Sequence, residues 1–145
     1  MRTALLFLSF SPLLSAQALI IGVDPRVELM SILFRLAGNP EYSQGQVPVY
    51  IQAIDRHFEP FKDHEAVKLA RSSRETSGVS YDAVMSIALH VKDVESLAET
   101  TPFDRPDQDL DERWHGAEAR SFLAAARKFV ADTRFAEFLK SQQAF

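Results

Sequence analysis

The chain has no cysteine in its 145 residues, which rules out both a disulfide framework and a thiolate metal site. Basic residues are also in short supply, with 16 Lys and Arg against 20 Asp and Glu. That balance argues against a nucleic-acid partner, since such surfaces neutralise phosphates with clustered Lys and Arg. No Gly-rich phosphate loop, dinucleotide fingerprint or G-x-S-x-G elbow occurs, and no internal repeat is visible. From Asp24 onward charges recur every few residues, so no later segment reads as a membrane span.

Residues 1–18, MRTALLFLSFSPLLSAQA, have the pattern of a cleavable secretory signal. Arg2 gives the positive start, 4–14 the short apolar run, and Ala16-Gln17-Ala18 the A-x-A pattern that a signal peptidase cuts. The run is interrupted by Ser and Pro and is shorter than the ~20 apolar residues that span a bilayer. The mature chain is therefore expected to start at Leu19, to be secreted or periplasmic, and to have no membrane partner. Losing Arg2 leaves one basic residue fewer against the same 20 acidic ones, a mature net charge of −5. Residues 19–145 are one domain's worth of chain, and 11 Phe is a large payload for its core.

The periodicities predict a mostly α fold of five to six helices, with one short N-terminal strand at 19–23. Asp24-Pro25 reads as an N-cap followed by proline at N1, opening a helix over 26–37. Apolar residues wrap most of that helix and leave only Glu28, Ser31 and Arg35 as a polar stripe, the pattern of a helix enclosed by others. Gly38-Asn39-Pro40 should stop it. A second helix is expected over 48–59, and a third over 64–75 capped by Asp63. A fourth is capped by Ser80 and presents Val84, Ile87, Ala88 and Val91. Residues 99–115 read as an acidic, proline-rich loop, followed from Gly116 by a long helical stretch with a bend near Asp132.

Candidate chemistry thins out on inspection, and no catalytic, cofactor-binding or metal residue is assigned. His57, on an apolar helix face, is expected to be a hydrogen-bonded core residue. His64-Glu65 resembles the start of a zinc-peptidase helix. The position four on from His64 is Lys68, however, so the second imidazole is missing. Glu65 then reads as a first-turn acid favoured by the helix dipole. Glu28 and Arg35 stand two turns apart, too far for a strong direct contact, so either the stripe faces solvent or each residue pairs with a neighbouring element. Asp107, Asp109, Asp111 and Glu118 match four ligand positions of a calcium loop, but Glu112 stands where glycine must make the turn. Trp114, beside His115, is expected to anchor its loop on the core.

Three stretches carry a family resemblance: 24–29 continuing through 35–38, then 78–86, and finally 110–114 running into the helix at 122–138. Together they resemble the N-terminal part of the exported bacterial proteins called domain of unknown function 4932. Members of that family are typically longer and look like zinc-dependent peptidases, with a His-Glu-x-x-His helix in the later part. The resemblance therefore implies a non-catalytic helical domain partnered by a C-terminal peptidase-like domain, with zinc held only by the longer members. Two further features favour an N-terminal portion of a longer protein. The helical pattern runs to residue 145 without a closing signal. Four or five helices also look too few to surround the first. The competing expectation is a self-contained exported binding module for a protein or small ligand, using 104–112 or the Trp114 region.

Overall fold

Residues 22–44, 47–95, 97 and 116–142 are described by the structure, a computed structural model. Among them lie six α-helices and no strand: α1 (Pro25–Leu36), α2 (Pro48–Phe58), α3 (Glu65–Thr76), α4 (Tyr81–His90), α5 (Gly116–Asp132) and α6 (Phe135–Gln142). Single 3-10 turns occur at Pro40–Tyr42 and Glu59–Phe61. The mostly α expectation holds. The secretory pattern at 1–18, most of the expected strand and the acidic loop fall outside the described residues. Gly22 and Val23 have no regular structure. No described helix is long and apolar enough to cross a membrane.

Local chemistry sets most helix ends. The Asp24 carboxylate accepts from the Arg26 backbone N–H at 2.9 Å, and Pro25 opens α1. At the other end the Gly38 N–H reaches Arg35 O at 2.9 Å and the Asn39 N–H reaches Phe34 O at 3.1 Å. Gly38 lies at φ +93, a left-handed conformation that glycine adopts without a Cβ penalty. The Ser80 hydroxyl caps α4 by accepting from the Ala83 N–H at 3.3 Å. Two expectations need correction. α2 ends at Phe58, one residue early, because the chain tightens into the 3-10 turn around Pro60. α3 is capped not by Asp63 but by His64, whose Nδ1 accepts from the Ala66 N–H at 3.1 Å, so the helix runs from 65 to 76.

The bend near Asp132 is a break at Thr133-Arg134. The Thr133 hydroxyl donates to Phe129 O at 2.7 Å, while Arg134 turns left-handed at φ 52. Its carbonyl then accepts from the Glu137 and Phe138 N–H groups and starts α6.

α1 is the centre of the molecule. It packs against α3 and α4, α3 packs against α5, and α5 against α6. Leu29, Met30, Ile32, Leu33 and Phe34 are fully buried, so this face of α1 is covered in the fold. Burying such side chains contributes about 1.5–3 kcal/mol each relative to exposure. Aromatic rings fill the space between α2, α5 and α6. Phe58 stacks on Phe129 at 5.7 Å between centroids and meets Phe138 edge-on at 4.8 Å. On α1, Phe34 tilts against Phe122 of α5 at 5.8 Å.

Candidate functional site

The polar stripe of α1 faces α2, and its two charged residues find partners across the gap. The Tyr50 hydroxyl donates to the Glu28 carboxylate. The Arg35 guanidinium donates to Asp55 Oδ1 from Nε at 3.1 Å and from Nη2 at 3.0 Å, with Oδ2 at 3.2 Å. Glu28 and Arg35 thus act separately, each tied to α2, the second of the two arrangements their spacing allows. Ser31, Ile32 and Ile54 complete the lining of a small hollow of about 80 Å³ between the two pairs, room for two or three waters. Burial holds the Glu28 carboxyl above the usual range, although the Tyr50 bond pulls the other way. Burial also raises the Tyr50 phenol, and the carboxylate it faces adds to the rise. The hollow offers a carboxyl and a hydroxyl, but no activated nucleophile.

Both imidazoles on this side of the fold are structural. His57 Nε2 lies 2.7 Å from Thr133 O, and its ring rests on Phe58 and Phe138 at 4.6 and 4.9 Å. A carbonyl only accepts, so Nε2 carries the proton. His64 uses both nitrogens, with Nδ1 capping α3 and Nε2 standing 3.2 Å from Asp132 Oδ2. The neutral Nε2–H tautomer satisfies both contacts. Neither ring is offered to a metal, and no three described His, Asp or Glu residues gather as a metal site. Glu118 accepts from the Ser77 hydroxyl at 2.8 Å, tying the end of α3 to the start of α5. Asp107, Asp109, Asp111, Trp114 and His115 fall outside the described residues.

A larger feature, which sequence reasoning missed, lies where the start of α1, residues 92–95 and α6 meet. This cleft encloses about 330 Å³. Phe135, Leu139 and Val94, all nearly or fully buried, give it an apolar floor. One wall is the Asp24–Arg26 pair, joined at 2.7 and 3.0 Å. Arg26 also reaches Val91 O at 2.6 Å and Leu89 O at 3.3 Å, clamping the exit of α4 onto the start of α1. That arginine holds the Asp24 carboxyl below its ordinary value. Lys92, Asp93, Glu95 and Lys140 stand around the rim. The only local signal was the Asp24-Pro25-Arg26 string, which reads fully as a helix start.

These features define an all-α domain with a mainly apolar surface cleft. No family model matches the chain, and neither does any curated protein or any solved structure.

Proposed function

We propose that this chain is an exported, non-catalytic helical binding module whose ligand seat is the cleft between α1, residues 92–95 and α6. The observation that carries this reading is the cleft itself, a hollow of about 330 Å³ with an apolar floor and charged groups at its edge. Small-molecule sites have this composition, and the volume is at the lower end of their range. Export rests on the pattern at 1–18.

A panel of small polar-apolar fragments, read by thermal shift, tests the ligand seat. Ala136 is exposed and lines the cleft, so Ala136→Trp should fill the hollow without disturbing the core. Fragments that raise the melting temperature of the parent should leave the variant unmoved. A panel silent on the parent, or shifts that survive in the variant, would overturn the assignment. N-terminal sequencing of protein recovered outside the cytoplasm should begin at Leu19, and an intact Met1 there would remove the case for a cleaved leader.

The resemblance to domain of unknown function 4932 supports a second reading. Two of its three strings lie on α1 and at the start of α4, which pack on each other. In this reading the chain is the helical N-terminal portion of a metallopeptidase-like protein, standing beside a C-terminal domain that holds the zinc. The enclosed α1 favours the first reading, because it needs no further domain to cover it.

A further inference from the structure

We infer that the cleft takes a hydrophobic α-amino acid in its zwitterionic form, an inference that rests on the binding-module reading above. The wall formed by Asp24 and Arg26 contributes no net charge. The two side chains neutralise each other at 2.7 Å, and the rest of the guanidinium is spent on the Val91 and Leu89 carbonyls.

The rim is different. Lys92, Glu95 and Lys140 are exposed, and none of them makes an ion pair within 4.0 Å among the described residues. Asp93 also lines the cleft but is already engaged, so among the described residues two unpaired lysines and the unpaired Glu95 border a single apolar hollow, presented by two separate elements. A ligand that answers all of this carries a carboxylate, an ammonium and an apolar side chain on one small frame. Its carboxylate is attracted by Lys92 and Lys140, its ammonium by Glu95, and its side chain covers Phe135 and Leu139. A fatty acid would answer the lysines but leave Glu95 unanswered. A simple amine would leave both lysines unanswered. The volume suits an amino acid better than a larger amphiphile.

The test is a titration of the ¹⁵N-labelled full chain at low salt, where exposed charges are least screened. The probes are L-phenylalanine, 3-phenylpropionate and phenethylamine, and the readout is the amide resonances of residues 92–95 and 135–140. L-Phenylalanine should shift these resonances saturably, and each half-charged analogue should bind at least about threefold more weakly. Ala136→Trp should abolish the shifts while leaving the rest of the spectrum in place. If either analogue binds as tightly as the amino acid, the zwitterion assignment is overturned and the cleft stands as a ligand seat of another class. If L-phenylalanine gives no saturable shift while other fragments bind, the assignment falls alone. If every fragment is silent as well, the binding-module reading falls with it.

Discussion

Glu28 places an ionisable carboxyl where burial works against its charge, with the Tyr50 hydroxyl as its partner across the α1–α2 gap. Its folded-state affinity for a proton exceeds that of the unfolded chain, whose carboxyl titrates near 4.5. The stability this contributes is complete below that value and is lost as pH rises through the higher folded-state value. Asp24 has the opposite sign. Its carboxyl is held below its ordinary value of about 3.8 by Arg26, so its contribution is present above that value and lost as pH falls. Glu28→Gln keeps an acceptor for the Tyr50 hydroxyl and removes the charge. The variant should gain on the parent as pH rises above about 4.5, with the larger gain at neutral pH. Urea unfolding at pH 3.5, 5 and 7 checks this, and an unchanged difference across the three would remove the buried-carboxyl account.

At the scale of elements, helix ends decide how closely the chain can be read. Asp24, Gly38 and Ser80 were legible because each acts within four residues of itself, through a cap bond or a left-handed turn. Asp63 misled because a carboxylate is the commoner cap. His64 takes the role because Asp132, on another helix, holds its ring in place. The cleft was illegible for the same kind of reason. Its wall depends on Arg26 reaching a carbonyl at Val91, 65 residues away, and no local periodicity encodes such a contact.

The α5–α6 break lies between these cases. Its position near Asp132 was readable, but its geometry was not, since Arg134 adopts a left-handed conformation without being glycine. That conformation costs about 1–2 kcal/mol for an L-residue, against up to about 1 kcal/mol of extra unfolded-state entropy for glycine. Arg134→Gly should therefore stabilise the protein by about 0.5–1 kcal/mol, while Arg134→Ala should give no such gain. The exposed Arg134–Glu137 pair at 3.8 Å is worth too little to reverse the sign. Parallel denaturation of the two variants checks it, and equal effects would show that the turn is unstrained.

For the whole molecule, the question is whether these helices complete a core by themselves. The expectation of too few helices treated α1 as needing partners on every side. The stripe of Glu28, Ser31 and Arg35 reduces that need, because α2 covers it with Tyr50 and Asp55 while α3 and α4 take the apolar faces. Phe135, Phe138 and Leu139 of α6 are buried as well, against α2 and the rings of the core. Among the described residues the exposed large hydrophobics, Val23, Val47, Val49, Tyr81 and Leu89, are spread over several elements and leave α6 out. A fold closed in this way should unfold in one cooperative transition, with fluorescence and circular dichroism coincident. It should also leave a hydrophobic dye dark at neutral pH, because large contiguous apolar patches are absent from a completed surface. A domain that needed a peptidase-like neighbour over α1 or α6 would bind the dye in its native state and lose those helices in an earlier transition. Coincident curves with no dye signal would favour the self-contained module. Separate transitions would favour the second reading and direct the search for activity to a longer protein.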